Sequence, residues 1–237
     1  MRRLSEFDAE LLAVRFRNML HLAQDVPFPV KESLEQLGIM AIFRPLSDSS
    51  FGMSIKTDDG LRFMLVSSNS TVGRQHFTIG HELYHLYFDE NPQPHMCGTD
   101  GKLPSEQSAD MFASNLLLPR VGLLSMLPDD FRAMKQLDLA TVVKMEQKFQ
   151  VSRRALLYRL KRLAIISEEQ LQTLLSAPTR EAALRRGYDT SVYEKGNEGL
   201  VIGDYSALAT DLFETGRISE GHYNELINPL VYAGRGY

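Results

Sequence analysis

Apolar positions recur at helical spacing at Leu11, Leu12, Val14, Phe16, Met19, Leu20 and Leu22, which predicts an amphipathic helix over residues 7–23. Val26-Pro27-Phe28-Pro29 ends it, and residues 30–37 read as a second helix stopped by Gly38. The pattern then shortens. Ile39-Met40-Ala41-Ile42-Phe43 is a strand candidate, and residues 51–56 and 62–66 flank Asp58-Asp59-Gly60 like the arms of a hairpin. Residues 75–88 return to helical spacing in a mostly apolar run that Ser70-Thr71 can cap. Beyond the breaker-rich Asn91-Pro92-Gln93-Pro94, another helix runs from Pro104 to Leu118, with Ser105 as its cap and Pro119 as its stop. Residues 141–150 and 152–164 form a helical pair with a tight connection, and residues 179–186 a short basic helix. Residues 187–203 read as irregular or a small hairpin, and residues 204–215 and 219–230 as helices capped by Asp204 and Ser219. The expected fold is α+β: a small antiparallel or mixed sheet packed on helices, followed by a mainly helical C-terminal part.

Composition narrows the class. A chain of 237 residues with 43% apolar and 24% charged positions is an ordinary globular protein with length for a real core. No apolar run approaches the roughly 20 residues of a membrane span, and the start of the chain lacks the apolar centre of a signal peptide. The single cysteine, Cys97, excludes an internal disulfide framework and suits a reducing compartment. A cytoplasmic protein with no membrane partner is expected.

The net charge of −4 conceals a basic middle, residues 120–186, with 13 Lys/Arg against 7 Asp/Glu. Within it, Val151 to Leu163 resembles the second helix of a helix-turn-helix unit capped by Ser152. Leu156, Leu157, Leu160 and Leu163 would pack inward, leaving Arg153, Arg154, Arg159, Lys161 and Arg162 largely outside. DNA phosphates are one partner for such a face. A solvated face on a helix pair that braces its neighbour is the favoured reading, since nothing in the run reads bases.

The chemistry is concentrated at Gly80-His81-Glu82-Leu83-Tyr84-His85. On a helix His81 and His85 stand one turn apart, so both imidazoles can converge on one ion. Glu82 is rotated about 100° from His81, where a general base can take a proton from a metal-bound water. A catalytic set needs a third ligand, and Glu106 on the following helix supplies a candidate. Taken alone, Glu106 is equally well read as a carboxylate at the positive end of its helix. Asp110, one turn later, can accept from the second nitrogen of a ligating histidine. Two imidazoles and a carboxylate favour Zn2+. Tyr84 and Tyr87 read as packing, and His76 as a polar surface or loop group. His95 and Cys97 fall in the loop between the ligands, where Cys97 could take a fourth position and hold an enzyme latent.

Gly80-His81-Glu82-Leu83-Tyr84-His85, followed by Glu106, Ala109-Asp110, Phe112-Ala113 and Leu116-Leu117-Leu118-Pro119, resembles the ImmA/IrrE family of metallo-endopeptidases. The likeness covers the N-terminal half closely and the helices to about residue 163 more loosely. It implies a zincin-like core, zinc on His81, His85 and Glu106, and Glu82 as catalytic base. It further implies a protein substrate, a helix-turn-helix repressor or antitoxin. On this reading residues 1–135 form the metallopeptidase domain, 136–177 a helix-turn-helix-like segment, and 178–237 a C-terminal helical extension of unknown role. The alternative is a DNA-binding or toxin–antitoxin regulatory module whose metal site is structural or vestigial.

Overall fold

The computed structural model describes residues 3–47, 50–89, 97–98, 103–131 and 136–233, with backbone alone at 97–98 and 229–233. Helices α1 (Glu6–Met19) and α2 (Val30–Gln36) lead into strand β1 (Ile39–Arg44). Strands β2 (Ser50–Lys56) and β3 (Arg62–Ser67) follow, then helix α3 (Val72–Phe88), the short strand β4 (Cys97–Gly98) and helix α4 (Pro104–Leu117). After α5 (Arg120–Leu124) come α6 (Leu139–Phe149), α7 (Arg153–Arg162), α8 (Glu168–Ser176) and α9 (Thr179–Leu184). A 3-10 turn (Ser191–Tyr193), strand β5 (Val201–Ile202) and helices α10 (Tyr205–Glu214) and α11 (Glu220–Ala233) complete the described chain.

The α+β expectation holds, and the sheet is mixed. Its order is β4-β2-β3-β1-β5. The β2–β3 pair is the hairpin foreseen around Gly60, whose φ of +90° lies where a side chain would be strained. β3 then runs parallel to β1, with Ile42 opposite Leu65. Along β1 burial alternates: Ile39, Ala41 and Phe43 are buried and join Met64 and Val66 of β3 in the core.

Helix α3 packs on β2 and β3 and against α4, which is in turn covered by α1. Gly80 lets α3 and α4 approach closely: a β-carbon there would stand 3.2 Å from the Ala113 side chain. Phe16, Tyr84, Phe88 and Phe112 meet edge-on or tilted beside this crossing. Arg17 is fully buried, yet its guanidinium donates to the carbonyls of Leu116, Ala23 and Val26, tying α1 to the end of α4. Burial lowers its pKa to about 10.

Several local expectations are corrected. Leu103, not Ser105, precedes α4, with Pro104 in its first turn. Thr71 begins α3 without a side-chain capping bond. Helix α8 falls in a stretch where no helix was foreseen, started by Ser167, whose Oγ accepts from the Gln170 amide at 3.2 Å. Residues 187–203 do not fold on themselves as a hairpin. Their last part pairs as β5 with the free edge of β1, Ala41 opposite Ile202. Ser152 caps α7 as expected, accepting from the Ala155 amide at 3.3 Å.

The basic face of α7 also differs from expectation. Arg153 and Arg159 are buried, at 4% and 0% exposure, because each meets a ready-made set of acceptors. Arg153 donates to both oxygens of Glu146, at 2.5 and 3.2 Å, and to the Ala177 carbonyl. Arg159 reaches Glu6, Asn115 Oδ1 at 2.6 Å and the Leu118 carbonyl at 3.2 Å. These two arginines hold α7 to α6, α4 and α1.

Candidate metal centre

His81 and His85 both lie on the buried face of α3, at 7% and 2% exposure. Their Nε2 atoms are 3.2 Å apart. Glu106, near the start of α4, enters from the facing helix with one oxygen 3.2 Å from His81 Nε2 and the other 3.2 Å from His85 Nε2. The three predicted ligands are therefore brought together from segments 21 residues apart (His85 to Glu106).

Whether these residues suit a metal can be judged from the donors themselves. His81 Nδ1 lies 2.9 Å from Asp110 Oδ1, and His85 Nδ1 lies 3.0 Å from Asp89 Oδ2. Each carboxylate accepts from an Nδ1–H, which leaves the Nε2 lone pairs turned toward each other and toward Glu106. Three electron-rich donors converging this way suit a cation between them. A tetrahedral ion with bonds of about 2.0–2.1 Å holds its donors about 3.3 Å apart, close to the separations seen. The residues fit a metal ion, and the donor set is that of a two-imidazole, one-carboxylate centre.

Glu82 is 1% exposed and lies between α3 and β2. Ser54 of β2 donates to its Oε2 at 2.7 Å. Its Oε1 is buried and has no hydrogen-bond partner among the described residues. Gly52, two residues before Ser54, leaves the room: a β-carbon at Gly52 would stand 3.2 Å from that Oε1 and 2.5 Å from the Thr78 methyl. The strand alternation places Gly52 and Ser54 on one face, toward α3.

Asp89, Ser54 and Gly52 were not singled out in the sequence. Asp89 carried a signal, standing four residues after His85 and hence one turn along. Ser54 and Gly52 carried none, because only the packing of α3 on β2 makes them neighbours of Glu82. Tyr84 is fully buried among Phe88, Phe112 and His85. Tyr87 is half-buried, and the Arg62 guanidinium lies 4.7 Å above its ring. His76 is a correction: it is half-buried within α3, and its Nδ1 meets the Gln150 carbonyl at 2.8 Å. Burial lowers its pKa. His95 and the Cys97 side chain lie outside the described residues.

Beside the centre a cleft of about 980 Å³ runs from His81, Glu106 and Asp110 toward α7. Among the described residues no helix is long and apolar enough to cross a membrane.

A search of curated proteins returned no match. Among solved structures, a Mycobacterium tuberculosis transcriptional regulator is similar, with 18% identity and a TM-score of 0.43 over 65% of this chain. The aligned part is 46% of that structure's chain, so this protein spans about half of it. The profile of the IrrE N-terminal-like domain, Peptidase_M78, matches residues 34–161, which take in β1 to β3, the whole centre and nearly all of α7. With more than half its length matched and the His-Glu-x-x-His helix inside the match, the chain belongs to the IrrE N-terminal-like family of metallopeptidases.

Proposed function

We propose that the protein is a zinc-dependent endopeptidase that cleaves a regulatory protein, a helix-turn-helix repressor or antitoxin. One observation carries the reading. The two imidazoles of a donor set with metal-centre geometry stand on the same helix as a buried carboxylate with one oxygen held and the other without a partner among the described residues.

His81, His85 and Glu106 would hold the ion, and Asp110 and Asp89 keep the two imidazoles in the tautomer that offers Nε2. Zinc bound there supplies Lewis-acid polarisation of the scissile carbonyl and lowers the pKa of water. Glu82 acts as the base. Ser54 occupies Oε2, so Oε1 is the atom that takes the proton from the attacking water and later hands it to the leaving amine. The cleft gives an extended or loop segment of a protein a path past the donors. Residues 1–135 would carry this chemistry, with 136–177 as a brace and 178–237 as an extension packed on it.

Glu82→Gln tests the proposal, using metal-loaded full-length protein and the small helix-turn-helix protein encoded nearest to it. The variant should retain its metal by elemental analysis and lose cleavage by about 10²–10⁴-fold on electrophoresis. Unchanged cleavage would remove Glu82 from the chemistry. A regulatory phenotype that survives Glu82→Gln would favour the alternative module with a structural or vestigial metal site.

A further inference from the structure

The cleft beside the candidate metal donors carries cationic side chains in its lining. Arg74 from α3 and Arg154 from α7 both line it and are both exposed. The Arg74 guanidinium lies 3.7 Å above the Phe51 ring, and that of Arg154 lies 5.3 Å from the Tyr158 ring centre. Both rings also line the cleft, so the two planar cations are held by aromatic surfaces rather than by acids. They sense each other: burial first, then the charge of Arg154, lowers the pKa of Arg74.

The other basic residues of α7 have carboxylate partners, with Arg159 and Arg162 sharing one. Arg153 pairs with Glu146, Arg159 and Arg162 with Glu6, and Lys161 with Glu168. Among the described residues neither Arg74 nor Arg154 has a carboxylate within ion-pair distance. Two like charges lining one groove, neither with a counter-ion among the described residues, make an anion the complementary ligand.

We propose that Arg74 and Arg154 form an acidic-residue subsite of the cleft, receiving an Asp or Glu side chain that flanks the cleaved bond of the protein substrate. The assignment rests on the peptidase reading above. Guanidinium forks match a carboxylate bidentately, and the aromatic supports limit the rotamer freedom lost on binding. Nucleic acid fits less well. A duplex needs a track of open cations, and among the described residues this run leaves Arg154 alone without a carboxylate partner, with Arg74 in the same groove.

The test reads binding separately from turnover. Two fluorescein-labelled peptide pools, one with Asp or Glu at alternate positions and one with Asn or Gln there, are titrated by anisotropy. The proteins are full-length, metal-loaded Glu82→Gln and the same chain carrying Arg74→Gln, Arg154→Gln or both. The acidic pool should bind about tenfold tighter than the amide pool, the worth of a charge-assisted bond. Each arginine variant should reduce that preference severalfold at unchanged metal content and thermal midpoint, and Arg154→Lys should restore part of it. Equal binding of the pools, or a preference that survives the double substitution, would overturn the subsite. Arginine-dependent binding of labelled duplex DNA without binding of the acidic pool would overturn it too. Arginine-dependent binding of the acidic pool, with no cleavage by the Glu82 protein, would keep the subsite and remove the peptidase. Cleavage indifferent to acidic residues and to both arginines would do the reverse.

Discussion

Asp89 and Asp110 set the direction of two imidazoles, and the identity of a single oxygen on each decides whether the Nε2 lone pairs point inward. Asp89 is the more consequential, with 11% side-chain exposure against 53% for Asp110, so less water competes for its bond. Asp89→Ala should weaken metal affinity about 10–100-fold in a chelator competition, and Asp110→Ala should weaken it less. His76 belongs to the same scale with a different consequence. Burial lowers its pKa below the ordinary value of 6.5, so the unfolded chain takes up the proton first. Its contribution is present above about pH 6.5 and fades as pH falls through the lower folded value. His76→Gln should flatten that part of the acid limb in thermal midpoints measured from pH 7.5 to 5. Of the centre, His81, Glu82 and His85 were legible because helical spacing fixes their relative directions, whereas Glu106 was a candidate whose place beside them depends on the packing of α4 on α3. Ser54 was not, since nothing local links a strand serine to a helix carboxylate 28 positions later.

Helices α3 and α4 carry the three candidate ligands, and their separation is the variable that matters at the level of elements. A β-carbon at Gly80 would stand 3.3 Å from the Ala113 Cα, so Gly80→Val should force the pair apart and destabilise the fold by about 1–3 kcal/mol in denaturant titrations. Metal affinity should fall with it, because Glu106 retreats with α4. Long amphipathic helices such as α1, α3 and α4 showed in the sequence through repeated periodicity. Helix α8 did not: Leu171 and Leu174 are its buried positions, too few to display a period. Strand β5 spans two residues and has no pattern of its own; it exists because β1 presents an open edge.

At the scale of the whole molecule, chain beyond the family match is built into the peptidase fold. Gln75 of α3 donates to the Gly196 carbonyl at 2.9 Å and accepts from Asn197 at 2.8 Å, while Leu200 and Gly199 bond the backbone of Phe43. A chain ending at residue 177 would lose this clasp and bare the β1 edge, and should show a lower thermal midpoint and greater aggregation than the full chain. Glu146 is fully buried and accepts from Arg153 and from the Tyr193 hydroxyl at 2.7 Å, joining α6, α7 and the 3-10 turn. Glu146→Leu would leave the Arg153 cation buried and unmatched, at a cost of about 3–5 kcal/mol in chemical denaturation. The basic run of α7 suggested an outward face, and tertiary contacts turned two of its arginines inward. By itself the sequence determined the helices long enough to repeat a period, the hairpin around Gly60, and the one-turn spacing of His81 and His85 with Glu82 beside them, all consequences of short-range geometry. Only the tertiary structure decided which cations are quenched, which serine holds Glu82 and which strand closes the sheet, because each depends on residues that meet solely through packing.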